Sequence, residues 1–477
     1  DNLESQDVVT FTGSATTGRK LKSHPNIIKQ AIRFNMEADS LNCIILGSDV
    51  TVEMEEFTIF IKEIVREMTA KAGQKCTAIR RTIVPEGMTQ SVIDALKQRL
   101  ETVRIGHPDG EGVRMGPLAG LDQVKEVRER VDELRQNAEL VFGEREEFEV
   151  VDADRNKGAF YEPTLLYCAE PLHTDSVHEI EAFGPVNTVM PYTDLDEAIQ
   201  LSAKGGGSLV GSVVTANDAI AHKLVLGIAP YHGRVLVLNR DSAPESTGHG
   251  SPMPTLVHGG PGRAGGGEEM GGARGVLHYM QRTALQGSPT TLTNITGEWT
   301  KGAAQPQDQV HPFRKHFDEL EIGETLVTHR RTVTEADVVN FAALSGDWFY
   351  AHVDEVAVQE SPVFERRVAH GYFVLSAAAG LFVDPAPGPV LANYGLENLR
   401  FTQPVYIGDT IQARLTCKTK APKAPREGEV PQGVVSWAVE VINQMDETVA
   451  VYTILTLVAQ KTDDNEKTTS FMGNFQN

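Results

Sequence analysis

Between residues 284 and 311 the chain turns rich in Thr, Ser, Gly, Gln and Pro, and the hydrophobic pattern differs on its two sides. Before it, short apolar runs within 6–15, 42–47, 78–85, 140–142, 165–166 and 188–190 alternate with helix-like stretches. Phe57, Ile61, Ile64 and Met68 recur at helical spacing, so the pattern predicts an amphipathic helix over 52–71. Further helices are expected near 16–32, 89–103 and 121–138. This alternation specifies α/β architecture with a largely parallel sheet. After the polar stretch come a helical segment at 334–344 and a small-residue apolar helix at 371–382. Long alternating β runs follow near 395–403, 408–420, 432–445 and 448–460. Antiparallel strands wrapped on one apolar helix indicate an α+β domain of about 150 residues. One core cannot serve both patterns, so the 477 residues divide into separate domains.

Composition removes several functions. The net charge of −21 repels phosphate backbones, so no nucleic-acid role is expected. No apolar run approaches the roughly 18 residues of a membrane span, so no membrane partner is expected. Cys43, Cys76, Cys168 and Cys417 are scattered without C-x-x-C spacing. That usage fits a reducing, cytoplasmic compartment and argues against a metal site. The chain opens at Asp1 with no basic or apolar leader and reads as cut from something longer.

Cys76 lies in Gly73-Gln74-Lys75-Cys76 just after the amphipathic helix, and Glu37 precedes it by 39 residues. A nucleophilic thiol needs partial exposure and a polar setting, which Lys71 and Lys75 could supply. A nearby carboxylate can activate water against a thioester. Taken alone, Cys76 reads as a small core residue and Glu37 as a solvated charge.

The surrounding motifs resemble the aldehyde dehydrogenase family. Phe11-Thr12-Gly13-Ser14, Glu37, Gly73-Gln74-Lys75-Cys76, Met115-Gly116-Pro117-Leu118, Tyr161-Glu162-Pro163-Thr164-Leu165 and Glu181-Ala182-Phe183-Gly184-Pro185-Val186 follow in that family's order. The resemblance implies an aldehyde dehydrogenase fold with Cys76 as nucleophile and Glu37 as general base. It also implies Ser14 at the cofactor pyrophosphate, Glu181 at the nicotinamide ribose and Phe183 against the nicotinamide, with NADP favoured over NAD. The family's first cofactor-domain strands and its oxyanion Asn have no counterpart before Phe11, so this half is expected to be incomplete and to show little dehydrogenase activity. The glycine-dense run 259–272 lacks the Lys-Ser/Thr of a phosphate loop and is expected to be structural. The expected division is a dinucleotide-domain remnant at 1–45 and a catalytic domain at 46–240. A return segment, oligomerisation strand and linker at 241–311, a second catalytic domain at 312–465 and a tail at 466–477 complete it.

Asp347 and His352 stand five residues apart in Ser345-Gly346-Asp347-Trp348-Phe349-Tyr350-Ala351-His352, and His370-Gly371 opens the apolar helix. A carboxylate and an imidazole can jointly hold and deprotonate water. The Gly371 N–H at a helix N-terminus can polarise a thioester carbonyl. Alone, Asp347 reads as a turn cap and His352 as a surface histidine. In context, residues 312–461 resemble the MaoC-type, R-specific enoyl-CoA hydratases. Tyr394-Gly395-Leu396-Glu397-Asn398-Leu399-Arg400-Phe401, Pro404-Val405 and Gly408-Asp409 continue that family's order. The resemblance implies a hotdog fold, Asp347 and His352 as the catalytic pair, Gly371 against the substrate and His370 in a structural role.

The two halves together resemble the bifunctional ring-opening enzymes of bacterial phenylacetate degradation, as do residues 246–252 and 278–283. That resemblance implies hydration and opening of oxepin-CoA, oxidation of the resulting CoA-linked semialdehyde, and a homo-oligomer. Lys420, Lys423 and Arg426 are candidate CoA contacts by charge only. Two alternatives stand beside this reading: a monofunctional hydratase carrying a dehydrogenase remnant as scaffold, and a non-catalytic oligomerisation module built on a β-rich 279–300.

Overall fold

The computed structural model describes residues 2–145, 147–268, 272–426 and 429–461. The chain forms two compact units that meet in sequence at Arg282 and Thr283. The tail at 466–477 lies outside the described residues.

The first unit begins with β1 (Val8–Thr12), α1 (Ala15–Lys22), α2 (Pro25–Lys29) and β2 (Arg33–Glu37), where β1 and β2 pair in parallel. The stretch expected as one helix is broken at Ser23-His24, because Pro25 can start a helix but cannot continue one. A seven-stranded sheet follows, built from β3 (Cys43–Leu46), β4 (Arg81–Pro85), β5 (Glu139–Phe142), β6 (Thr164–Tyr167), β7 (Val186–Tyr192), β8 (Ser208–Val214) and β9 (His232–Leu238). Its order is β5-β6-β7-β4-β3-β8-β9, parallel except for the β5–β6 edge pair. All four residues of β3 are buried, as expected of a central strand covered on both faces, so the run is apolar without alternation. The covering helices are α3 (Glu55–Thr69), α4 (Thr89–Glu101), α5 (Leu121–Leu134), α6 (Ser176–Glu179), α7 (Leu195–Ala203) and α8 (Asp218–Ile228). The predicted stripe of α3 is buried: Phe57, Phe60, Ile61, Ile64, Val65 and Met68 join one core with Ile44, Leu46 and Val84. The unit ends with α9 (Ala273–Tyr279).

In the second unit, α10 (Pro289–Thr296) precedes β10 (Thr325–Val327) and β11 (Arg331–Thr332). Then come α11 (Glu335–Ser345), α12 (Tyr350–Val353), α13 (Glu355–Gln359) and α14 (Gly371–Phe382). The long strands are β12 (Val390–Phe401), β13 (Thr410–Pro422), β14 (Gln432–Ile442) and β15 (Thr448–Ala459). They form an antiparallel sheet ordered β10-β13-β14-β15-β12, with β11 also on β13. Phe373, Val374, Ala377, Ala378 and Leu381 of α14 pack into one core with Ile411, Leu415, Trp437 and Val439 of the sheet. The small residues of this helix let it lie close to the strands, as a hotdog fold requires.

Two sequence expectations are corrected here. The stretch at 283–311 is not a linker but part of the second unit: Trp299 is buried, its N–H donates to Lys418 O at 2.9 Å, and Gln305 donates to Thr416. Nor is 279–300 β-rich. Ser288 caps α10 through the Thr291 N–H, Pro289 occupies its first turn, and Gly297 ends it with φ of 69°.

Candidate active sites

The thiol site is assembled from three separated pieces of chain. Glu37 ends β2, paired in register with Thr12, and is 3% exposed. Cys76 follows α3 through a tight left-handed turn in which Lys71, Ala72 and Gly73 have φ of 54°, 51° and 69°. A Cβ at Gly73 would stand 2.3 Å from Gly184 O, so only glycine allows this approach. Two buried side chains then fix the loop. Asn42 Nδ2 donates to Cys76 O at 2.7 Å and Ala78 O at 3.0 Å. The Arg80 guanidinium donates to Gly73 O at 2.8 Å and Gly184 O at 2.5 Å and pairs with Glu181 at 3.4 Å.

The third piece is one the sequence reading missed. His258 Nε2 stands 3.9 Å from Cys76 Sγ and 3.5 Å from Glu37 Oε2. The glycine run after it brings it there. Gly267 N donates to Met36 O, Ala38 N donates to Ala264 O, and Cβ atoms at Gly260, Gly265 or Gly267 would meet neighbouring atoms at 2.2–2.3 Å. These glycines let the loop lie flush on β2 and β8, in agreement with the structural reading; residues 269–271 of the run lie outside the described residues. Lys75 does not serve the thiol as supposed, because its ammonium is bound to buried Glu67 at 2.8 Å.

The remaining predicted residues of this half sit around the same loop. Ser14 is exposed at the N-terminus of α1, where its hydroxyl oxygen accepts from Thr17 N at 3.3 Å. Asp39 already accepts from the Ala15 N–H at 2.9 Å. Glu181 accepts from Ser40 N at 3.2 Å, and burial pushes its carboxyl above the usual range against the pull of Arg80. Phe183 is exposed beneath the Arg80 guanidinium and lines a cleft of about 690 Å³ with Gln74 and Arg114. An exposed hydroxyl at a helix N-terminus and an exposed ring beside the nucleophile loop fit a nicotinamide dinucleotide; Glu181 must exchange a present partner to reach it. A larger cleft of about 930 Å³ between α3 and α4 contains neither Cys76 nor Glu37, so size alone does not find this site.

The second site forms where α11 ends. Gly346, with φ of 76°, stops the helix and turns Asp347 back over α12. One carboxylate oxygen of Asp347 accepts from Phe349 N at 3.2 Å. Asp347, His352 and His370 each present a side-chain atom within 4.8 Å of the others, and the two rings stack at 3.8 Å. His352 Nδ1–H donates to Val368 O at 2.8 Å, which leaves Nε2 as an acceptor. His370 Nε2–H donates to the Asp347 backbone carbonyl at 3.0 Å and so holds the turn carrying the carboxylate. His352 and Gly371 line one cleft of about 310 Å³ with Val374, Phe401 and Val405. A Cβ on Gly371 would stand 2.6 Å from the Phe401 ring. Of the supposed CoA contacts, Lys420 is committed to Leu320 O at 2.7 Å, Lys423 lies over Tyr394 and Arg426 pairs with Glu429.

The three donor atoms of each trio lie within 4.8 Å of one another, too few to close a structural zinc site though as many as an open catalytic one uses. Both sets also have the make-up of proton-transfer chains. Burial, with help from the neighbouring His370, lowers the His352 pKa below its ordinary 6.5. The imidazole therefore stays an acceptor at pH values where a free histidine is protonated. The acid limb of a rate–pH profile for hydration is expected to have its midpoint below about 6.5, measured as kcat/KM. A midpoint above that value would contradict the assignment of His352 as base.

Comparison with known proteins places both halves. The model of the aldehyde dehydrogenase family matches residues 3–285, and that of the MaoC like domain matches 318–438. Protein MaoC of Klebsiella aerogenes is 56% identical over 316 residues, covering 66% of this chain and 92% of that protein. The 3,4-dehydroadipyl-CoA semialdehyde dehydrogenase of Aromatoleum evansii is 47% identical over 261 residues, covering 55% of this chain and 51% of that protein. A crystal structure of betaine aldehyde dehydrogenase from Staphylococcus aureus with NAD+ superposes with a TM-score of 0.50 at 23% identity, covering 57% of this chain and 50% of that one. That likeness concerns the fold. The chain thus spans most of the Klebsiella protein and about half the length of the other two relatives.

Proposed function

This chain belongs to the aldehyde dehydrogenase family and carries a C-terminal MaoC-like domain, and on that premise we propose that it is a bifunctional ring-opening enzyme acting on a CoA thioester. Its second unit hydrates a cyclic enol ether conjugated to the thioester, of the oxepin-CoA type. Its first unit carries the thiol site for oxidising the CoA-linked semialdehyde that results, with little turnover expected of that step in the chain as it stands. The placing of His352 and Gly371 on one cleft, with the Asp347 carboxylate within 4.8 Å of His352, carries this reading.

In the hydrating step, His352 Nε2 takes a proton from water held beside Asp347, and the oxygen adds to the conjugated carbon. Charge collects on the thioester oxygen, where the Gly371 N–H, with no intrahelical partner of its own, donates to it. His352 then returns the proton to the carbon beside the thioester carbonyl. The hydrated enol ether, now a hemiacetal, opens to an open-chain aldehyde as its ring C–O bond breaks and the hydroxyl proton passes to the departing oxygen. In the oxidising step, the Cys76 thiolate adds to that aldehyde and forms a thiohemiacetal. A nicotinamide cofactor, held by Ser14, Glu181 and Phe183, supplies the hydride acceptor; NADP is the proposed form. Glu37 then takes a proton from the water that hydrolyses the Cys76 thioester. An aldehyde released into the cell would modify amines, which gives a reason to join the two steps in one cytoplasmic homo-oligomer. The name of the Aromatoleum relative, itself acting on a CoA-linked semialdehyde, supports the substrate class.

A substrate profile tests this. Turnover is expected for a cyclic enol-ether CoA thioester and for straight 2-enoyl-CoA, with loss of the conjugated absorbance, and not for the free acids. Equal turnover of thioester and free acid would overturn the CoA assignment.

A further inference from the structure

His258 Nε2 faces both the Cys76 sulfur at 3.9 Å and the Glu37 Oε2 at 3.5 Å. A ring nitrogen holds one proton at most, so it cannot donate to the carboxylate and accept from the thiol at once. Bare, it accepts from the thiol; protonated, it donates to the carboxylate. Of the surrounding charges, Lys75 is bound to Glu67, Arg80 to Glu181 and Arg263 to Asp39, and Arg80 also acts electrostatically on Cys76.

We propose that His258 carries the proton of Cys76 to Glu37, generating the thiolate before substrate arrives. The proposal rests on the reading of Cys76 as nucleophile. The S–H bond breaks as Nε2–H forms, giving thiolate and imidazolium. Nε2–H then breaks as an O–H forms on Oε2, leaving neutral imidazole and a neutral carboxyl. One negative charge has moved from oxygen to sulfur, and no electrons are exchanged with any other group. Burial favours the transfer, because Glu37 is 3% exposed whereas Cys76 is half-buried and the charge leaves the more desolvated atom; it works against the higher intrinsic proton affinity of a thiolate. Once the sulfur is acylated, the stored proton returns through Nε2 to solvent. Glu37 is then a base again for hydrolysis. The two roles of one carboxylate are separated in time by the imidazole.

The test is the pH dependence of Cys76 alkylation by iodoacetamide in the full chain, read by mass spectrometry of the Cys76 peptide. Cys43, Cys168 and Cys417 are at most 1% exposed and do not compete. The unsubstituted chain is expected to react with a midpoint below the free-thiol value of about 8.5. His258→Gln is expected to slow alkylation at neutral pH by about tenfold and return the midpoint to about 8.5, with added imidazole restoring part of the rate. Glu37→Gln, which keeps the shape and removes the acceptor, should move the midpoint in the same direction. The proposal is overturned if the His258→Gln profile superimposes on that of the parent. It is equally overturned if the parent itself titrates as a free thiol, a result that needs no variant to fold. No aldehyde, CoA thioester or nicotinamide enters the assay, so a failure of the substrate profile would sink the functional reading and leave this result standing.

Discussion

Replacing Asp347 with Asn is expected to lower the turnover of a crotonyl-CoA-type hydration by about 10²–10⁴-fold. The substitution keeps the acceptor that holds Phe349 N. It keeps the shape of the turn fixed by His370 on the Asp347 carbonyl, and removes only the charge and one oxygen that can hold the water. Far-ultraviolet circular dichroism should therefore stay unchanged while turnover falls. His352→Gln should cost a similar factor, and the double variant little more than either single one, because groups that act on one water are not additive. Multiplicative losses would mean that the two side chains act independently. Full turnover in Asp347→Asn would remove the carboxylate from the mechanism.

The second large effect is on stability. Arg80→Leu is expected to destabilise the first unit by about 3–5 kcal/mol, read from chemical unfolding. Arg80 is 5% exposed and spans the Cys76 loop, with carbonyls of Gly73 and Gly184 and the Glu181 carboxylate as its partners. Its loss leaves a carboxylate without its direct ion-pair partner in a desolvated place, with only the more distant Arg263 acting on it, which costs more than the pair contributes net. Adding Glu181→Gln to Arg80→Leu should recover a measurable part of the loss, because it removes the stranded charge. A loss of under about 1 kcal/mol would mean that Arg80 is replaceable by water there.

What was readable in the sequence was what local pattern decides. The stripe of α3 and the small-residue run of α14 have periods and lengths that admit one reading, and both are helices. The long strands were legible because each alternates, and their buried positions alternate accordingly in β14. The break between α1 and α2, and α10 itself, carried local signals in Pro25, Ser288-Pro289 and Gly297 that composition outweighed. The unit boundary was misread because a polar composition does not reveal that Trp299 would be buried among its own neighbours. At the sites, motif order brought out Cys76, Glu37, Asp347 and His352. His258 was hidden, since 182 residues separate it from Cys76 and only the packing of the glycine run on β2 joins them. Lys75 and Lys420 show the reverse: their charge is visible in sequence, but the carboxylate or carbonyl that holds each one is not.

The account stands or falls on two separate centres acting in order on one CoA thioester. The direct measurement is time-resolved mass spectrometry of the CoA products after mixing a cyclic enol-ether CoA thioester with the chain and NADP. The parent is expected to add one water first and to accumulate the aldehyde, with little acid formed and only afterwards. Asp347→Asn should stop the sequence before the water is gained, and Cys76→Ala should stop it at the aldehyde. Acid that appears without a preceding hydrated species, or hydration that survives in Asp347→Asn, would contradict the account.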